Sequence, residues 1–207
     1  MSLKCKKYII ITPYFPSESS HVGSYIFDQA KIIDSNNEFS VKVIKVVSVF
    51  SKELNYNFKG IDVKIFKVID LPFFIFPGLF NNINSIRFKQ FLKDHKLINN
   101  LYVVHAHVCY PSAYLANAVS SIVKVKTIAQ HHGIDVLQLL NGRFNYIKNL
   151  QRDFLINRSL RQLNKLGLNV SVSNKVRKAL YMYSNYKPQD EFILYNGVDR
   201  DKFYNTN

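Results

Sequence analysis

Residues 8–12, Tyr-Ile-Ile-Ile-Thr, form a mostly apolar run that Pro13 closes, as in a strand buried on both faces of a parallel sheet. A polar loop over 16–23 follows, and the spacing then predicts a helix from Ser24 to about Ser35. Two more strands are predicted over 41–49 and 61–69. In the second, Val63 and Ile65 mark one face, and either Lys67 or Val68 decides the register. Residues 80–95 read as a basic helix and 101–106 as a short apolar strand, with a helix beginning at Ser112 just after Pro111. Strands over 125–130, 168–173 and 192–195, with a helix capped by Ser173 or Asn174 and running to about Tyr183, complete the series. Strands alternating with helices in this way predict an α/β chain with a doubly wound, mostly parallel sheet.

The stretch 143–166 is less simple. Phe144, Ile147, Leu150 and Phe154 share one helical face, whereas Ile156, Leu160 and Leu163 occupy another. A straight helix buried on one side would keep one face, so this segment is expected to kink or to be buried on two sides.

Composition narrows the class. Of 207 residues, 47% are hydrophobic and 20% charged, which suits a folded domain and excludes a disordered tail. Two cysteines, Cys5 and Cys109, are too few for a disulfide scaffold and suit a reducing cytoplasm. The longest apolar stretch, 71–80, is interrupted by Pro72, Pro77 and Gly78, and nothing approaches the roughly 18 residues of a membrane span. The run over 8–11 is too short for a signal peptide and no small-residue cleavage site follows it. The expected location is therefore cytoplasmic.

The formal charge of +14 is uneven: +7 over residues 1–139, +9 over 140–187 and −2 over the last twenty. A concentrated basic stretch makes a field for an anionic partner, whether nucleic acid, anionic lipid or a phosphorylated substrate. The basic residues of 143–166 form no single stripe, however, so no nucleic acid partner is expected.

Four polar clusters fall where strands end, which in an open parallel sheet is where ligands bind. The loop after the first strand contains Ser20, His21 and Gly23, the glycine opening a helix whose bare N–H groups suit a phosphate. His105 and His107 follow at period two, on one face of their strand. Then come His131-His132-Gly133-Ile134-Asp135, and lastly the turn signal Asn196-Gly197. Neither a Gly-x-Gly-x-x-Gly nor a Walker lysine motif is present. The histidine spacing matches no closed zinc site, so no metal is expected.

The order of these pieces resembles the opening domain of family 4 glycosyltransferases. Pro13-Tyr-Phe-Pro16, Val22-Gly23 and Ile26-Phe-Asp-Gln29-Ala30 lead. His105-Ala-His107-Val-Cys-Tyr-Pro-Ser-Ala113, Gln130-His-His132-Gly133-Ile-Asp135 and Val172-Ser173 follow. Ile193-Leu-Tyr-Asn196-Gly197-Val198-Asp199 with Phe203 closes the series. The resemblance implies one half of a GT-B architecture, in which two Rossmann-like domains face each other across a cleft. Residues 1–195 would be the N-terminal, acceptor-side domain and 196–207 the start of the interdomain linker, with the C-terminal donor domain absent from these 207 residues. It further implies retaining transfer of a hexose from a nucleotide-diphosphate sugar to a glycan or lipid-linked acceptor, with no cofactor or metal. This fragment alone is expected to be inactive.

By the same resemblance His132 matches the histidine that contacts the donor sugar near the reacting carbon, and Asp135 would orient His132 or an acceptor hydroxyl. Gly23 and Asn196 are the candidates for donor phosphate binding, and His107, His131, Ser20 and His21 those for the acceptor side. A single glycine stands where two adjacent ones are common in the family. Phe73, Phe74 and Phe76, followed by Arg87, Lys89 and Lys93, pair aromatics with cations, as suits peripheral attachment to the inner face of an anionic membrane. The competing readings are an epimerase or inactive homologue of the same fold, and a self-contained nucleotide- or nucleic-acid-binding module without catalysis.

Overall fold

The structure is a computed structural model that describes residues 6–71, 76–133 and 148–197, the side chains of 148–153 and 155 excepted. The strands are β1 (Lys6–Thr12), β2 (Phe39–Ser48), β3 (Tyr56–Phe58), β4 (Ile61–Val68), β5 (Leu101–His107), β6 (Lys126–His131), β7 (Leu168–Ser171) and β8 (Glu191–Ile193). They form one sheet in the order β3-β4-β2-β1-β5-β6-β7-β8. Every pairing is parallel except β3 with β4. The helices are α1 (Ser24–Ser35), α2 (Asn81–Asp94), α3 (Tyr114–Ser120), α4 (Lys148–Leu163) and α5 (Asn174–Tyr181).

Alternation along the strands builds two cores. On β1, Tyr8 and Ile10 point to one face with Val41 and Val43 of β2 and Val63 of β4, where Ile26, Phe27 and Ala30 of α1 cover them. Ile9 and Ile11 point to the other, with Ile44, Val46, Phe66 and Val104, under Phe88 and Leu92 of α2, Leu115 of α3, and Leu160 and Leu163 of α4. Strands buried on both sides need apolar residues at successive positions, which is why β1 shows no alternation of polarity. On β4, Ile65 and Phe66 are neighbours buried on opposite faces, and Val68, not the half-buried Lys67, continues the second face.

Strand β3 lies outside the predicted series. It is only three residues long, and it folds back on β4 through Lys59-Gly60, both at positive φ (49° and 93°). That is the geometry of a two-residue hairpin turn, and Asn57 Oδ1 accepts from Gly60 N at 2.9 Å. A three-residue strand carries too little pattern to be read, and Lys-Gly is a weaker turn signal than Asn-Gly.

The helix expected from Ser112 begins instead at Tyr114, after an irregular turn over Cys109–Ala113 in which Tyr110 is extended (φ −105°, ψ 133°). Of the two expectations for 143–166, the described part shows burial on two sides. The helix α4 runs unbroken while Ile156, Leu160 and Leu163 enter the core. Phe154 meets the Phe76 ring edge-on at 5.4 Å, and Arg158 sits 4.2 Å over Phe154. Phe144 and Ile147 lie outside the described residues. Ser173 caps α5 as expected, its Oγ accepting from Val176 N at 3.3 Å. No described helix is long and apolar enough to cross a membrane.

Candidate functional site

Strand order reverses between β1 and β5: β1 pairs with β2 on one side and β5 on the other. Such a switch point opens a crevice beyond the carboxyl ends of the strands, where ligands of doubly wound sheets bind. The loop after β1 edges this crevice and is tightly built. Thr12 Oγ1 accepts from Tyr14 N and donates to Tyr14 O, both at 3.0 Å. Ser17 and Ser20 exchange backbone hydrogen bonds of 2.8 and 3.2 Å, and Tyr56 Oη donates to Pro16 O at 2.9 Å.

Gly23 ends this loop and is the N-cap of α1, at φ 86° and ψ 18° with no side-chain cap. A Cβ there would lie 2.6 Å from Tyr14 O. Glycine is thus required both by the left-handed backbone and by the close approach of Tyr14. The uncapped first turn leaves the positive end of the α1 dipole at the crevice. His21 is exposed and its carbonyl accepts from Ser24 N at 3.2 Å. Ser20 is half-buried in the loop hairpin, where its Oγ accepts from Val22 N at 3.4 Å.

Across the crevice the ends of β5 and β6 carry a file of rings on the α1 face. Period two places His105, His107 and, from β6, Gln130 on that face. Tyr8 Oη and His105 Nδ1 are 2.9 Å apart. The rings of His105 and His107 stack at 4.3 Å, and those of His107 and His132 lie 5.1 Å apart and nearly parallel, at 8°. His107 Nδ1 and His132 Nε2 are 2.8 Å apart, a hydrogen bond between imidazoles. Tyr25, in the first turn of α1, completes the file with its ring 4.7 Å from that of His132. The α1 N-terminus and His132 are therefore neighbours.

Burial governs the charge of this file. His105 and His107 are 3% and 0% exposed, so an imidazolium in either place would be stripped of water. Burial first, then the nearby His132, drives His105 down to about 3, with Gln130 opposing. Burial, then His105 and His132, holds His107 well below the ordinary histidine range. Both are neutral at physiological pH. Burial likewise raises the Tyr8 hydroxyl, which stays protonated.

Val108, the residue after His107, is β-branched yet sits at φ 70° and ψ 155°, a region otherwise left to glycine. Its N–H bonds Gln130 O at 3.0 Å. This bend turns the chain out of the sheet directly behind the imidazoles.

Of the residues singled out from sequence, Gly23, His107 and His132 are thus brought together. His131 is not among them: it faces the other side of the sheet, fully buried, with Nε2 3.2 Å from Asn169 Oδ1. Asn169 in turn donates to Leu163 O at 3.0 Å. Asn196 is exposed just past β8, two strands beyond β6. Asp135, Phe73 and Phe74 lie outside the described residues. Two members of the file escaped sequence reasoning: Tyr8 looked like part of an apolar strand, and Tyr25 like an ordinary helix residue. The signal for Tyr25 was its place two residues after the glycine that opens a helix. Among the described residues, no group of three or more His, Cys, Asp or Glu side chains is arranged to hold a metal ion.

A reversed strand order, a glycine-opened helix and polar strand ends at the reversal define a Rossmann-like domain. Solved structures share its fold. A sucrose-phosphate synthase of Thermosynechococcus elongatus superposes with a TM-score of 0.67 at 10% identity, covering 96% of this chain and 50% of its own. A shorter form of that protein, spanning residues 27–220 and 406–426, superposes with a TM-score of 0.58 at 8% identity over 95% and 92% of the two chains. An E. coli structure described as trehalose-6-phosphate bound with UDP-2-fluoro glucose gives 0.56 at 10% identity over 95% and 50%. The chain thus spans half the length of two of these, as one Rossmann-like half of a GT-B architecture would. No curated protein is significantly similar to it in sequence. The profile of Glycosyltransferase Family 4 matches residues 40–202, and the chain belongs to that family.

Proposed function

We propose that this domain is the acceptor-side half of a retaining glycosyltransferase that moves a hexose from a nucleoside-diphosphate sugar to a glycan or lipid-linked acceptor. The observation that carries this reading is the packing of His132 against Tyr25, which joins a polar strand end to the positive terminus of α1. Transfer breaks the bond between the anomeric carbon and the diphosphate and forms one to an acceptor oxygen, whose proton is lost. Negative charge grows on the departing diphosphate, and fixed N–H donors at a helix N-terminus stabilise such charge where it develops. Gly23 keeps a Cβ out of that approach, and His132 lies beside it to meet the sugar. Asp135 and Asn196 complete the proposed site, as orienting group and phosphate contact. His107 and His131, with no exposed surface, reach a ligand only through the side chains they hold.

The acceptor reading has support on α2. Ile86 is 69% exposed, and it borders a groove of about 770 Å³ whose lining includes Phe66, Arg87, Lys89, Phe91, Lys93 and Asp94. Apolar side chains next to cations suit peripheral contact with an anionic, inner membrane face. Arg87 is turned inward, donating to Lys67 O at 2.9 Å, so Lys89 and Lys93 carry the proposed contact. Sedimentation with anionic but not zwitterionic vesicles, lost in a Lys89→Glu/Lys93→Glu variant, is the expected outcome; equal sedimentation of the variant removes this surface.

The central test is His132→Ala in the full-length gene product. Turnover with a nucleotide-sugar donor is expected to fall at least about tenfold, the scale of one lost transition-state contact, with the thermal unfolding midpoint retained. Unchanged turnover removes His132 from the reaction.

A further inference from the structure

The geometry points to His107 as a positioning residue that sets which nitrogen of His132 carries the proton. The inference rests on the proposed role of His132 and adds the state in which that ring works. A hydrogen bond between two imidazoles needs an N–H on one side and a lone pair on the other. The 2.8 Å contact between His107 Nδ1 and His132 Nε2 therefore allows two arrangements. In one, His107 donates from Nδ1 and His132 accepts at Nε2, so a neutral His132 has its own proton on Nδ1. In the other, His132 donates from Nε2, and His107 carries its single proton on Nε2.

The surroundings of His107 separate the two. Its Nε2 is buried and has no hydrogen-bond partner among the described residues. The second arrangement would strand an N–H there. A buried N–H without an acceptor is a rarer and costlier orphan than an acceptor with a spare lone pair. Placing protons on both nitrogens is no escape, because a charged ring at a site with 0% exposure, stacked against His105, would go unsolvated. His107 is thus a neutral Nδ1–H donor. His105 stacks against this ring at 4.3 Å.

The consequence for His132 is a defined polarity. Its Nε2 faces inward as an acceptor and its Nδ1 is a hydrogen-bond donor, the form suited to a sugar hydroxyl oxygen or a diphosphate oxygen rather than to taking a proton from an acceptor hydroxyl. In water a histidine exchanges freely between its two neutral forms; here the hydrogen bond to His107 favours one of them.

Long-range proton–nitrogen NMR of the imidazole rings tests this on the 207-residue chain, without donor, acceptor or turnover. Wild-type His132 is expected as the Nδ1–H form by at least about tenfold, the ratio matching one hydrogen bond plus an avoided orphan. His107→Leu should lower that ratio severalfold. His107→Asn, whose amide N–H can stand near the place of Nδ1, should keep it. An Nε2–H form of His132 in the wild type overturns the proposal, and so does an unchanged ratio in His107→Leu. Should His107→Leu not fold, the wild-type and Asn measurements still decide. The outcome is independent of the turnover test, so a failed His132→Ala prediction and a failed tautomer prediction are told apart.

Discussion

The two faces of the sheet are made by the same strands, yet they use the same residue type to opposite ends. On the face under α2, α3 and α4, His131 is a brace, fully buried and tied to Asn169 on the next strand. On the α1 face, His105, His107 and His132 form a file that ends at the N-terminus of α1. His131 and His132 are adjacent in sequence. What separates their roles is parity along the strand end, which turns successive side chains to opposite faces. The first face buries His131 and Asn169 against each other in an otherwise apolar core, whereas the second becomes polar where β5 and β6 stop.

Truncating the apolar face should have the largest effect. Leu160 is 1% exposed in the core beneath α4, and Leu160→Ala should cost about 2–5 kcal/mol in chemical denaturation. The His132 tautomer should be unmoved in that variant, and coupling between the two would break the division drawn above. Gly23 sharpens the other side. Gly23→Ala puts a Cβ against Tyr14 O and a side chain at φ 86°, with an expected loss of roughly 2–4 kcal/mol from combined strain and clash. Gly60 has φ 93° but open space around it, so Gly60→Ala should cost only about 1 kcal/mol. Equal losses at the two sites would show that Tyr14 yields easily.

A dependence on pH belongs to the α1 face. His105 titrates at about 3 in the folded chain against 6.5 as its ordinary value. Below 6.5 the unfolded chain therefore binds more protons than the folded one. The stability is fully present above 6.5 and is lost progressively as pH falls toward 3, by up to about 1.4 kcal/mol per pH unit for each proton. His107 shifts in the same direction and adds to the slope. His105→Gln cannot take up the proton and should flatten the dependence measured by denaturation between pH 6.5 and 4; a slope identical to wild type would assign it elsewhere.

Much of this was written locally. The extent of α1 and the burial of Tyr8–Ile11 in β1 follow from the spacing of apolar positions, and the Ser173 cap is a one-residue signal that the structure repeats. The short hairpin strand β3 was not legible, because three residues hold no period and its turn depends on φ angles that Lys59 does not advertise. The clustering of histidines at strand ends was visible, and their division was only half so. Period two places His105 with His107 on one face and Gln130 with His132 on one face, but nothing local says that β5 and β6 are neighbours.

Sequence alone therefore determined the α/β alternation, the polar strand ends and their order, since each depends on neighbours a few residues apart. Tertiary structure decided what those ends became. Strand order set β1 beside β5, which brought residues 82 positions apart in the chain, Gly23 and His105, to one crevice. Burial then removed the charge from two histidines and left the third at the edge. Solvation and long-range pairing are properties of the assembled sheet, and no window of sequence contains them.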